Sequence, residues 1–159
     1  MILEALLVLF ALVIVTHIID YYPLKLHYFK KQKWDLNIGC GPTDGGGLNA
    51  DVVPRKVPNF VLIKDIYHLP FKNKQFKTVM ASHIIEHVDD PEKFYKELSR
   101  VSENVIFLIP PVWDLAAAFN LPEHKWHFLT LGTKFVNTLP ARVKLPYWWY
   151  HNMFGQRIE

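Results

Sequence analysis

"WDLNIGCGPTDGGG", residues 34–47, decides how the rest of the chain is read. A short apolar run ends in glycine, and Gly39 and Gly41 follow with one residue between them. Glycines there let the backbone turn tightly and approach a ligand where a Cβ would collide. A lone Gly-x-Gly says little. At the carboxyl end of a first parallel strand, however, it sits where open α/β sheets bind their ligands. No Gly-Lys-Ser/Thr follows, so the turn is not a P-loop.

Outward from that turn, short β-prone runs recur: "WDLNIG" (34–39), "LNADVV" (48–53), "NFVLIKD" (59–65), "FKTVMASHI" (76–84) and "ENVIFLIPP" (103–111). Between the last two lies a helix, "DDPEKFYKELSRVS", with Asp90 as cap, Pro91 in the first turn, and Phe94, Leu98 and Val101 on one face. Strands apolar on both faces and joined by helices or loops predict an α/β fold built on a parallel sheet. Downstream, 130–139 reads as a further helix and 141–152 as containing a last strand. The tail "PYWWYHNMFGQR" crowds aromatics that pack a core, cover an apolar acceptor site or rest on a membrane interface.

The 159 residues suffice for one domain and not two. A hydrophobic share of 50% excludes a disordered chain, and a net charge of +3 is too mild for dedicated nucleic-acid binding. A single cysteine, Cys40, excludes an internal disulfide framework. Residues 2–19, "ILEALLVLFALVIVTHII", are apolar all round, and eighteen helical residues span roughly 27 Å, close to a bilayer's hydrocarbon thickness. A Tyr pair and Lys25, Lys30, Lys31 and Lys33 follow on one flank only, which orients that flank to the cytoplasm. A basic start and a small-x-small cleavage site, which a secretory signal would carry, are both missing. The expected organisation is a transmembrane anchor at 1–20, a basic juxtamembrane neck at 21–33 and a domain at 34–159.

Two carboxylates close consecutive strands. Asp51 is placed to accept hydrogen bonds from ribose hydroxyls, or to cap a turn. Asp65, in "KDIYHLPF", could take an adenine amino group. "SHIIEH" (82–87) contains H-x-x-E-H, an inverted zinc-protease spacing. Zinc chemistry of that kind needs both histidines on one helical face and a third ligand. The β-prone "FKTVMAS" before it and the helix start "DDP" after it make the stretch a strand exit instead, and no metal is expected.

"LNIGCG", "NAD", "KDIYHLPF" and "FKTVMASHIIEHVDDPEKFYKEL", in this order over residues 34–111, resemble the class I S-adenosylmethionine-dependent methyltransferases of the type 11 branch. The resemblance implies a Rossmann-like sheet, shortened at its C-terminus, and S-adenosylmethionine as cofactor. It implies that Gly39, Cys40 and Gly41 line the methionine end, Asp51 holds the ribose, and Asp65 with Ile66 brackets the adenine. Ser82 and His83 would close over the methionine portion, and His87 would stand near the acceptor entrance. Asn37, expected among the cofactor-binding residues, replaces the acidic residue common in the first strand, Thr43 takes the third glycine position ahead of a loop in place of a helix, and Lys77 replaces a usual aspartate. Transfer from an activated sulfonium is largely a matter of alignment. A general base helps where the acceptor has a proton to lose, and His87, His124 and His127 are the candidates. The expected function is methyl transfer to a small-molecule or lipid-linked acceptor at the cytoplasmic membrane surface, with room for a partner subunit. The alternative is a catalytically inactive methyltransferase-like binding or regulatory module.

Overall fold

Leu36, Asn37 and Ile38 form β1 (Leu36–Ile38), and all three are buried. In the computed structural model, which describes residues 1–121 and 123–147, β1 lies at the middle of a six-stranded sheet. It pairs in parallel with β2 (Leu48–Asp51) on one side and β4 (Phe76–Ser82) on the other, Leu36 opposite Leu48 and Val79. β3 (Phe60–Leu62) extends the sheet beyond β2, and β5 (Ser102–Leu108) beyond β4, both parallel. The order is completed by β7 (Lys134–Val136), antiparallel to β5. This is a Rossmann-like sheet, and its parallel strands all release their following loops at one edge.

Alternation along the strands separates two cores. Val79, Ala81, Val105 and Phe107 face α3 (Pro91–Val101), whose Phe94, Leu98 and Val101 are fully buried. Asp90 caps that helix as expected, its carboxylate accepting from the Lys93 amide at 3.0 Å. Met80, Ile106 and Leu108 face the other way, into a cluster with Trp34. No helix intervenes between β1 and β4 among the described residues, so the crossover segments are loops.

Tyr28 and Phe29 cover this second face instead. They belong to α2 (Lys25–Lys31), so the segment expected to be a basic neck is a packed helix with Lys30 and Lys31 exposed and Lys25 half-buried. It continues α1 (Ile2–Ile19) through one wide turn, Asp20–Leu24, which holds Pro23. A proline removes a helical donor and crowds the preceding turn, and local widening relieves both. α1 buries no residue, but Val13, Thr16 and His17 form its less exposed stripe, which runs on to the buried Asp20 of the wide turn. There it meets α4 (Leu115–Ala118): the Leu115 amide donates to Thr16 Oγ1 at 3.2 Å, and His17 Nδ1 lies 3.0 Å from Asp114 Oδ2.

The structure corrects one expectation and bears out another. Residues 130–139 form no helix; Lys134–Val136 is strand β7, because the open edge of β5 offers main-chain partners that the β-prone Phe135 and Val136 accept. The strand expected in 141–152 exists as β8 (Arg142–Lys144), but it pairs with β6 (Trp126–Phe128) in a separate two-stranded ladder. Residues 148–159, with most of the aromatic tail, lie outside the described residues.

Candidate functional site

A cavity of about 610 Å³ opens at the carboxyl edge of the sheet, lined by the loops after β1, β2 and β4. Gly39 and Gly41 turn its floor with φ of +61° and +52°. A side chain at 39 would also strike Ile84, whereas a Cβ at 41 would meet nothing within 4 Å. Position 41 therefore demands glycine for its backbone alone and leaves free space above it. Cys40 lines the same floor, and burial with the nearby Asp51 carboxylate pushes its thiol up to about 11.

Asp51 pins this turn from the neighbouring strand. Its Oδ2 accepts from the Gly41 amide at 2.9 Å and from Arg55 Nε at 3.3 Å, and its Oδ1 from the Val53 amide at 3.0 Å. The carboxylate is buried and borders the cavity. Asn37 does not. Its side chain points away, its Nδ2 donating to Thr43 O at 2.9 Å and Asn49 Oδ1 at 3.0 Å. Asn49 in turn accepts from the Gly45 amide and donates to Asp44 Oδ1 and Pro58 O. This buried amide network holds the glycine-rich loop where a helix was absent from the pattern.

Ile66 lines the cavity and Asp65 does not. The Asp65 carboxylate is exposed and turned onto its own loop, accepting from the Tyr67 amide at 2.7 Å and lying 2.7 Å from His68 Nδ1. The His68 contact and the Tyr67 amide hold its carboxyl below the usual range. Ser82 and His83 leave β4 directly into the cavity. Ser82 Oγ is buried and has no hydrogen-bond partner among the described residues. His83 takes φ +52°, a conformation that non-glycine residues adopt at a cost and that clusters at functional sites.

Beyond His83 lies a group of polar side chains that the sequence pattern did not assemble. Glu86, His87 and His124 are buried together, with the His87 and His124 rings 4.8 Å apart edge to face. Burial drives the His83 imidazole down to about 3 and that of His87 to about 4. His124 falls well below its ordinary value through burial and then its histidine neighbours. Burial raises the Glu86 carboxyl to about 8. At neutral pH these imidazoles are uncharged, with lone pairs available. His127 is half-buried on β6 and is not among the lining residues.

Residues unforeseen from sequence complete the wall. Arg55 stands beside Asp51, and Asp114 comes from the cap of α4. His17 and Lys25 come from the N-terminal helices. Only their spacing, in phase with Val13, Thr16 and Asp20 for His17, hinted at a face turned inward.

Residues 46–106 match the family model described as a methyltransferase domain. No curated protein matches the chain. Among solved structures it is similar to an S-adenosylmethionine-dependent methyltransferase from Thermotoga maritima, at 17% identity over 69% of this chain and 62% of that one, with TM-score 0.46. It is similar to another from Aquifex aeolicus, at 14% over 58% of this chain and 66% of that one, with TM-score 0.42. A third is the Haloferax volcanii complex between the Trm112 methyltransferase activator and a methyltransferase, at 15% over 58% of this chain and 52% of that one, with TM-score 0.44. The chain thus spans between half and two thirds of the length of these structures. The methyltransferase family uses S-adenosylmethionine as donor. The cavity fits that group: its volume lies in the cofactor range, it has open space over Gly41, and Asp51 and Ser82 supply polar atoms at its floor.

Proposed function

We propose that this methyltransferase-type domain transfers a methyl group from S-adenosylmethionine to a small-molecule or lipid-linked acceptor at the cytoplasmic face of a membrane. The single observation that carries the reading is that one cavity joins the Gly39–Gly41 turn to a second wall built from His87, His124, His17 and Lys25. When bound, the donor supplies a methyl group already activated on a sulfonium. The chain's own residues then hold and align. Gly39, Cys40 and Gly41 cradle the methionine end, and Asp51 accepts from ribose hydroxyls through oxygens already fixed by Gly41 and Val53. Ile66 packs on the adenine with Asp65 outside it, and Ser82 and His83 close the methionine side. His87 and His124 border the acceptor; His127, away from the lining, has no part in it. A binding-only module would have no use for this second wall, which favours an enzyme.

Placement at a membrane is supported by α1, the one helix among the described residues long and apolar enough to cross a bilayer. Residues 1–20 serve as anchor, 21–33 as the helical junction and 34–159 as the domain. Because Thr16 and His17 bond to α4, the cavity is held next to the anchor, and Phe119 and Leu121, which follow α4 in the chain, are exposed apolar side chains. An acceptor with an apolar tail would reach the cavity without leaving the bilayer.

The test is calorimetry of S-adenosylmethionine with the full-length chain in detergent, followed by radiolabelled methyl transfer to membrane lipid extracts. Donor binding with label in the lipid phase, absent for Asp51→Ala, is expected. Failure to bind the donor would overturn the reading.

A further inference from the structure

The acceptor wall contains more than alignment of a methyl donor requires. Glu86, His87 and His124 each offer one ligand atom, and these atoms all lie within 4.8 Å of one another. The carboxylate is 1% exposed, and neither of its oxygens has a hydrogen-bond partner among the described residues. A buried carboxyl without a hydrogen bond is costly, and carboxylates that stay charged in such places are ordinarily paired or coordinate metals. His87 carries the other half of the signature. Its Nδ1 lies 3.2 Å from the Glu123 carbonyl oxygen, which can only accept, so Nδ1 bears the hydrogen and Nε2 keeps its lone pair. Metal-binding histidines are held in this way, with the second ring N–H donated to a carbonyl or carboxylate.

The main chain locks the two contributing loops together. The Lys125 and Trp126 amides both donate to Glu86 O, at 2.8 and 3.0 Å, and the His124 amide donates to Asn120 Oδ1. Nearby, His83 Nδ1 stands 3.7 Å from Glu86 Oε1. We propose that Glu86, His87 and His124 bind a divalent first-row transition ion, zinc being the best match, with an open position toward the cavity for an oxygen atom of the acceptor. One carboxylate and two imidazoles form a ligand set for zinc and its neighbours rather than for magnesium or calcium. Ligands across a tetrahedral zinc stand about 3.3 Å apart, so the group closes by at most about 1.5 Å, which side-chain rotation supplies. The H-x-x-E-H spacing is not what builds the site. His83 sits in a strand-exit turn, and the second imidazole comes from a distant loop. The metal site stands without the methyl-donor reading; only the acceptor's oxygen chemistry rests on it.

The test uses the full-length chain in detergent, stripped with a chelator and titrated with zinc by calorimetry, and separately with cobalt by visible absorption. One zinc per chain and the intense bands of low-coordinate cobalt are expected. Glu86→Gln and His124→Ala should each lower zinc affinity at least about 100-fold, more than loss of an outer-shell partner does. His27→Ala, an exposed histidine, should leave it unchanged. No stoichiometric zinc in the stripped wild type, or affinity unchanged in both site variants, would overturn the site. Should a variant fail to fold, the wild-type cobalt spectrum decides alone. Zinc binding without S-adenosylmethionine binding would sink the donor reading and keep the metal site; the reverse result would sink the metal site alone.

Discussion

Replacing Asn37 by aspartate should destabilise the domain, although an acid at this place in the first strand is what the family resemblance would lead one to install. The Asn37 amide nitrogen faces two acceptors, Thr43 O at 2.9 Å and Asn49 Oδ1 at 3.0 Å. Aspartate would set an oxygen against both. Turning the Asn49 amide round would not help. It would withdraw the donor from Asp44 Oδ1 and Pro58 O, and leave the Gly45 amide without its acceptor. Two hydrogen bonds at about 1 kcal/mol each are lost, and a buried acceptor left unpaired adds about 1–3 kcal/mol. The introduced carboxyl would hold its proton in this buried place and donate one bond back, which leaves about 2–4 kcal/mol, and its middle, about 3 kcal/mol, is expected. For a chain of this size that lowers Tm by about 6–12 °C. Thermal melts of Asn37→Asp followed by circular dichroism in detergent measure the shift, with donor affinity read by calorimetry at a temperature where both proteins are folded. An unchanged Tm together with tighter S-adenosylmethionine binding would show that residue 37 touches the donor, and the clamp argument would fail.

Asp51→Asn keeps one acceptor oxygen and removes the charge, so S-adenosylmethionine affinity should fall about 10–100-fold, the equivalent of about 1.4–2.8 kcal/mol; equal affinity would place the ribose elsewhere. Gly41→Ala should cost about 1–2 kcal/mol of stability through its left-handed backbone alone, since nothing crowds the added methyl. A larger loss would mean the space above it is already filled. The Glu97 carboxyl is held below its ordinary 4.5, chiefly by Arg100 and also by the Leu69 amide, against the opposing effect of burial. Its stabilising contribution is present above pH 4.5 and is lost as pH falls through its depressed folded value. Wild type should therefore lose its stability advantage over Glu97→Gln on acidification, and an advantage independent of pH would refute the pairing. Carbonate washing of membranes should leave the full-length chain in the pellet; its recovery in the supernatant would rule out a spanning α1.

Much of the sheet is legible in the sequence, because strands buried on both faces are written as unbroken apolar runs and a capped amphipathic helix announces itself by Asp90, Pro91 and the Phe94, Leu98 and Val101 spacing. The glycine turn and Asp51 were legible for the same local reason: each sits at the end of such a run, and strand ends share one edge. One local reading failed, and one segment took a form its composition did not announce, each where a neighbour decided the outcome. Residues 134–136 became a strand because β5 had a free edge, and residues 25–31 became a packed helix because the face around Met80 and Ile106 had no crossover helix to cover it.

The histidine-bearing wall of the cavity belongs wholly to the tertiary structure. Spacing along the chain marks His83 and His87 as a pair, yet the residues brought together are Glu86, His87 and His124, and His127 is left aside. What selects them is the path of a loop pinned by main-chain hydrogen bonds from Lys125 and Trp126 to Glu86, and no side-chain pattern encodes such bonds. Likewise, Asn37 and Asp51 are both polar residues in buried strands, but strand orientation turns one beneath the glycine loop and the other into the cavity. The sequence by itself determines which segments are strands, which turn is tight and which helix is apolar, because those properties depend on near neighbours. Which polar atoms face one another across the cavity depends on how distant segments dock, and only the folded chain decides that.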